Sequence, residues 1–460
     1  MKPLNALAAA VMTIVMAGAP LAARATDLLD VWHAASTHDP DVAISQAARG
    51  AGEARRAQAS ALWRPTVTLS GNAARMSANT GTTGANFSAP AFGQSNGVAF
   101  NTSINDGNAS GWTLEARQPL ISRERRAQSQ QLDISADAAD LEWQSSRQDL
   151  MLHTVQRYFD VILAQRKLDL LKRQHNAVER AWAQAKDRFT IGDAPVTDTY
   201  EASARAESLR AQVLAADNEL QLARMALSDA TGLVSPSLQM LSPAGSAVPE
   251  ALPPLAHWLA LAADGNPQLR MQLAKARVAQ EETVKLGAAA SAKLDLVAQA
   301  GEQRLRGSGD FGPASNTTRQ AMIGVQLTVP LYTGGYRSAR QLEALHLEDK
   351  ALAEVDRTRQ QISQQTRAAW LGLQAGSARI GALAESLKAS RARLDATQLG
   401  RQVGDRTTLD LLNAESDASS AELALLQARV DLLLNQLRLQ ALAGQLDEAR
   451  LEAVNTLLQR

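Results

Sequence analysis

The chain contains no cysteine. That excludes disulfides, thiol nucleophiles, cysteine zinc sites, iron–sulfur clusters and lipid attachment to a thiol. Aromatic residues are scarce, with seven Trp, four Tyr and six Phe in 460 residues. Charge of one sign is missing too: 47 Lys and Arg stand against 47 Asp and Glu. A nucleic-acid binder run by net charge is thereby excluded. Beyond the N-terminus no apolar run approaches the ~20 residues that a membrane-crossing helix needs. The six histidines form no i, i+4 helical pair, and His175 falls on a packing seam. HExxH, GxSxG, Walker and Rossmann patterns are absent. The sequence therefore offers no catalytic constellation, no metal site and no cofactor motif, and an enzyme is not expected.

Ala, Leu, Gln, Arg, Glu and Ser dominate instead, a bias toward long helices. Residues 1–25 read as an export leader. Lys2 opens it, Leu7 to Ala19 is uncharged and apolar, and Ala23-Arg24-Ala25 supplies a small-x-small cleavage pattern. The apolar stretch is too short to span a bilayer.

The rest of the chain is duplicated, a feature that bears on everything after it. At an offset of 212, residues 150–232 fall on 362–444 without a gap. Gly192 meets Gly404, Asp198 meets Asp410, Leu220 meets Leu432 and Gly232 meets Gly444. Upstream, Pro119-Leu120 meets Pro330-Leu331. The sequence divides into a first repeat over 26–234, a proline-rich linker over 235–262, a second repeat over 263–446 and a tail over 447–460. In the first repeat a helix precedes strands within 63–120, a long helix over 122–189 and a helix over 195–231. In the second, strands lie within 293–330 and helices over 334–401 and 406–443.

Period-two alternation marks the strands. Val67, Leu69, Gly71 and Ala73 alternate with polar residues, as do Trp112, Leu114 and Ala116. Leu294, Leu296, Ala298 and Ala300 do so in the second repeat, followed by Ile323, Val325, Leu327 and Val329. Strands of ~9–11 residues with one apolar face suit a membrane barrel. The Gly/Asn/Ser/Thr-rich stretch Ser77–Ser110 and its counterpart Arg306–Gln320 read as exposed loops. Proline is expected to end a strand at Pro119 and Pro330. The long helices carry 3-4 seams of the coiled-coil kind, Val161, Ala164, Leu168, Leu171, Val178 and Trp182 in one, Leu423, Leu426, Val430, Leu433 and Leu437 in another. Four strands cannot close a barrel, because unpaired edges do not survive in lipid. Two chains would supply eight strands and three would supply twelve.

Three segments carry a family resemblance: VPLYTGGYRSARQ (329–341), VGDRTTLDLLNAE (403–415) and LLLNQLRLQALAGQLDEARLEAVN (432–455). They resemble the TolC family of bacterial outer-membrane export ducts. The resemblance implies an α+β membrane protein of duplicated strand pairs and long coiled-coil helices. As a homotrimer it forms a twelve-stranded barrel in outer-membrane lipid, continued by a twelve-helix periplasmic barrel. It implies a passive channel in a type I secretion or efflux system, working with a periplasmic adaptor and an inner-membrane ABC or proton-driven transporter. It implies a gate at the helix turns, where the family's polar links fall on Thr197, Asp198, Arg401 and Arg406. Arg401 stands where the family has tyrosine, so an Arg401–Asp198 ion pair is expected in its place. The family's two acidic rings fall on Asp410 and Asn413, the second now neutral, which predicts weaker block by cations. The turn residues Ile191, Gly192, Val403 and Gly404 would dock the adaptor. The competing reading is a periplasmic coiled-coil adaptor, which would lack the duplicated strand–loop–strand blocks.

Overall fold

The computed structural model describes residues 26–91, 93–234, 236–242, 252–310 and 312–458. The leader read over residues 1–25 lies outside the described residues. In chain order the elements are α1 (Leu28–His38), α2 (Pro40–Ala61), β1 (Thr66–Ala89), β2 (Gly93–Ile121), α3 (Arg123–Thr190), α4 (Val196–Thr231), α5 (Leu255–Gly265), α6 (Pro267–Ala288), β3 (Lys293–Gly309), β4 (Gly312–Thr328), α7 (Tyr336–Gln402), α8 (Thr408–Leu442) and α9 (Glu448–Asn455). The chain forms two compact units. One comprises the described residues within Met1–Ser45, Gln144–Asn266 and Gln361–Arg460, the other those within Gln46–Trp143 and Pro267–Gln360.

In the second unit all four strands form one antiparallel sheet in the order β1-β2-β3-β4. The register places Leu69 opposite Leu114, Leu114 opposite Ala300 and Ala300 opposite Ala321. Residues directly opposite share a face. One face therefore gathers Val67, Leu69, Leu114, Ala116, Leu296, Ala298, Ile323 and Val325. The other gathers Thr66, Thr68, Ser70, Glu115, Arg117, Gln299 and Gln326.

The strands are longer than the sequence predicts. They contain 24, 29, 17 and 17 residues. Ser77–Ser110 and Arg306–Gln320 are continuations of the ladder rather than loops, down to the pairs Ala89–Gly93 and Gly309–Gly312. Composition misleads here because an antiparallel hairpin satisfies its backbone whatever its side chains are. Register shifts occur near Met76, Thr82 and Ala85 in the β1–β2 ladder, and between Asn105 and Asn108 in the β2–β3 ladder. Pro119 lies inside β2, next to a register shift between Pro119 and Ile121, and does not end the strand. A bulge leaves its missing N–H harmless. Gly334 and Gly335, at φ of 62° and 83°, turn the chain from β4 into α7.

Beside the sheet, α2 packs on the start of α3. A Cβ on Gly52 would stand 2.8 Å from the Ala139 Cβ, so only glycine permits this approach. Arg56 bridges Asp137 and Asp140 at 2.7 Å each, and Arg49 reaches Asp140 at 3.0 Å while lying 4.7 Å above the Trp143 ring.

The first unit is helical. Its core joins α3 (Val155, Tyr158, Phe159, Ile162, Leu168), α4 (Ala216, Leu220, Leu227) and α8 (Val430, Leu433, Leu437), with Ala369 and Leu373 of α7. Buried Tyr158 donates from its hydroxyl to the Gln239 carbonyl at 2.9 Å, and burial pushes its pKa up. The stretch read as a linker holds the start of α5, and the tail holds α9. Asp27 caps α1 in a capping box, and Asn455 of α9 accepts from the Leu28 N–H at 3.0 Å. A Cβ on Gly444 would meet the Gly265 carbonyl at 2.1 Å, so the ends of α5 and α8 touch through bare backbone. Among the described residues no helix is long and apolar enough to cross a membrane.

Candidate functional site: the helix turns and the open sheet

Two turns repeat one another. After α3 the Asp193 N–H donates to the Arg188 carbonyl at 2.8 Å, and the Gly192 N–H to Phe189 at 2.9 Å. After α7 the Asp405 N–H donates to Gly400 at 2.8 Å, and the Gly404 N–H to Arg401 at 3.1 Å. This paired bonding is the Schellman C-cap, which needs a left-handed residue. Gly192 and Gly404 supply it at φ of 79° and 83°. Between them the turns expose apolar side chains, Ile191 at 78% and Val403 at 80%. The two exposed aliphatics thus stand at equivalent places in the two repeats.

The helices leaving the turns differ. Thr407 caps α8: its Oγ1 accepts from the Asp410 N–H at 3.0 Å, and Asp410 Oδ2 accepts from the Thr407 N–H at 3.0 Å. This capping box holds the Asp410 carboxyl below the usual carboxylate range, through the Thr407 backbone and hydroxyl, with help from Arg406. Asp410 is thus an anion fixed by its own helix. α4 begins at Pro195 with no side-chain cap, and exposed Asp198 sits in its first turn beside Thr197, whose Oγ1 is 3.4 Å away. Arg406 lies over Gly400, where an added Cβ would be 2.8 Å from the arginine Cγ.

Arg401 does not pair with Asp198. Its Nη2 donates to Gln184 Oε1 of α3 at 2.9 Å, and among the described residues no ion pair joins it to Asp198. A long side chain near the end of α7 takes the nearest acceptor across the groove, and here that is Gln184. Asn413 accepts from Arg205 Nη1 of α4 at 2.7 Å. Further along, Glu422 of α8 binds Arg166 of α3 and Arg391 of α7. Burial pushes the Glu422 pKa up, but the two guanidinium groups outweigh it and hold the carboxyl below its ordinary range.

Arg205, Gln184, Arg166 and Glu422 escaped the sequence reading. The duplication could not reveal Arg205, because its counterpart at offset 212 is Asp417, which pairs with Arg393 at 2.5 Å. A weaker signal was present: Arg205 stands seven residues after Asp198, two turns along the same face.

The sheet is the second element of function. Val67, Leu69, Ile323, Val325 and Leu327 leave between 65% and 75% of their surface uncovered. Among the described residues nothing buries this face. From Leu294 to Ala300 it runs ~20 Å, and from Ala321 to Val329 ~27 Å, at ~3.4 Å per residue. That matches the ~25 Å apolar band of an outer-membrane barrel. Beyond Ala300 the face turns ionic, where Glu302 pairs with Arg304 and, at 2.8 Å, with Arg319. Trp112 marks that end, and exposed Tyr332 and Tyr336 follow the other, the places where aromatic girdles stand. The outer edges of β1 and β4 pair with no strand among the described residues.

The outer membrane efflux protein family matches residues 31–233 and 258–445. The chain belongs to that family. It is 28% identical over 445 residues to the proteases secretion protein PrtF of Dickeya chrysanthemi, covering 96% of this chain and 93% of that one. It is 26% identical over 373 residues to the outer membrane protein TolC of Escherichia coli, covering 80% and 75%. Its fold is that of the CmeC outer membrane channel of Campylobacter jejuni, with a TM-score of 0.71 over 94% of this chain and 90% of that one, at 15% identity. Membership in this family of transport ducts places the chain in the outer membrane as an export channel with a periplasmic extension. It sets aside the adaptor reading, and the family is not one of enzymes.

Proposed function

We propose that three copies of this chain form the duct. The observation that carries the reading is the sheet with two open edges and one uncovered apolar face. In lipid every backbone N–H and C=O needs a partner, so β4 of one copy must pair with β1 of the next. Three copies give twelve strands, a closed outline with outer-membrane lipid against Leu69 and Val325. The duct is passive and takes its energy from an inner-membrane ABC or proton-driven transporter, through a periplasmic adaptor. The adaptor docks on the tips at Ile191, Gly192, Val403 and Gly404. Thr197, Asp198, Arg401 and Arg406 govern the gate beside these tips, and Asp410 and Asn413 line the constriction behind it. In this reading Asp198, which has no ion pair among the described residues, is available to a neighbouring copy. Names of similar proteins favour secreted protein as cargo, since PrtF is a proteases secretion protein.

Chemical cross-linking of the detergent-extracted protein followed by mass determination tests the assembly. A ladder ending at three chains is expected. A water-soluble monomer, or a ladder ending at two, contradicts it.

A further inference from the structure

We infer that Arg205 is a positioning residue that holds the turn end of α8 against α4, and that the Arg205–Asn413 contact keeps the constriction closed. The effect on conduction rests on the duct reading above; the contact itself does not.

Polar contacts that tie α3 and α4 to α7 and α8 include Arg401–Gln184, Arg205–Asn413 and Arg166–Glu422. Only the second engages a residue of the constriction. Its geometry is short, 2.7 Å from Arg205 Nη1 to Asn413 Oδ1, and the donor is charged. The adjacent residues make a second, apolar contact. Leu412 is buried in a small cluster with Val178 and Ala181 of α3 and Ala206 of α4. Ala181 and Ala206 are small, which leaves room for the leucine. Residues 205 and 206 of α4 thus receive residues 413 and 412 of α8, one pair polar and one apolar. Neighbouring pairs of this sort share one geometry, so loss of either loosens the other. Thr197 and Asp198, which the family pattern singles out, make no hydrogen bond or ion pair to α8 among the described residues. For α8 to swing from α4, the Arg205–Asn413 bond must break and Leu412 must leave its socket.

The absence of cysteine makes a clean test. Ala206→Cys places one thiol inside the socket, and Ala181→Cys offers a second site should the first disturb folding. Maleimide labelling of the full-length protein in detergent is compared with and without Arg205→Ala, alongside single-channel conductance and thermal melting. Labelling is expected to be slow in the parent and at least tenfold faster with Arg205→Ala, while conductance rises several-fold and melting hardly moves. The exchange Arg205→Asn with Asn413→Arg restores slow labelling and low conductance. Unchanged labelling in Arg205→Ala overturns the inference, whether or not the protein conducts. Faster labelling with no conductance in any variant leaves the contact standing and sinks the duct reading instead.

Discussion

Gly192 and Gly404 show how a residue's chemistry fixes a functional feature. Each sits at a left-handed C-cap, where a Cβ costs ~1–2 kcal/mol. Alanine at either position is expected to fray the turn, seen as faster amide exchange at residues 188–193 or 400–405. Both glycines were legible in the sequence, because they superpose at the repeat offset. The Thr407-x-x-Asp410 spacing fits a capping pattern, which the sequence reading did not draw on. Thr407→Ala should cost about 1 kcal/mol and speed exchange at the start of α8, while Pro195 leaves α4 with no comparable cap to lose. The sign of the pH response follows from Asp410's depressed pKa. Its contribution is present above the unfolded-state value and is lost as pH falls through the folded one. The first turn of α8 should therefore hold from neutrality down to the ordinary carboxylate range and loosen only in stronger acid. A nuclear magnetic resonance titration reporting loss of the turn near neutrality would contradict this. The partners of Arg401 and Asn413 were not legible. Which acceptor a long side chain meets depends on packing between helices, and neither spacing nor the repeat encodes it.

Among the elements, the four long helices that run through the first unit are held by a seam and by a three-way charge cluster. Arg166–Glu422–Arg391 joins α3, α8 and α7, with Glu422 only 23% exposed at its side chain. Glu422→Ala strands two guanidinium groups, and a loss of about 1–2 kcal/mol is expected in chemical denaturation, less at high salt. Glu422→Gln should recover part of it. The helical seams were legible from 3-4 spacing, and Val161, Ala164, Leu168 and Val178 are all buried. Strand faces were legible from alternation. Strand lengths were not, because Gly, Asn, Ser and Thr signal loops to a reader of composition, whereas the hairpins beyond the apolar band are held by backbone pairing. The band itself yields a further prediction. Leu69→Arg places a cation on the lipid face and should cost roughly 2–4 kcal/mol in refolding into vesicles. Thr68→Arg, on the opposite face, should cost far less.

For the whole molecule, the deciding features are an apolar face without a cover and a sheet without closure. Neither is stable in lipid as one copy, and in the proposed assembly symmetric repetition resolves both. The sequence alone required more than one copy without choosing the number, and three is the number proposed above. In the proposed trimer each residue near the axis acts in triplicate, and the constriction would follow from that symmetry. A ring at Asp410 with a neutral second ring at Asn413, and Arg205 bound beside it, predicts weak affinity for trivalent cations. Asn413→Asp should strengthen the block several-fold, and Asn413→Asp with Arg205→Gln should strengthen it further. Equal block in all three proteins would refute this electrostatic account. The central claim, a duct gated at its helix turns, is tested most directly by single-channel conductance in a planar bilayer. The parent is measured beside Asp198→Ala and Arg406→Ala. A small parent conductance that rises several-fold in the variants is the predicted result. A large conductance indifferent to both substitutions, or none from any of the three, would contradict it.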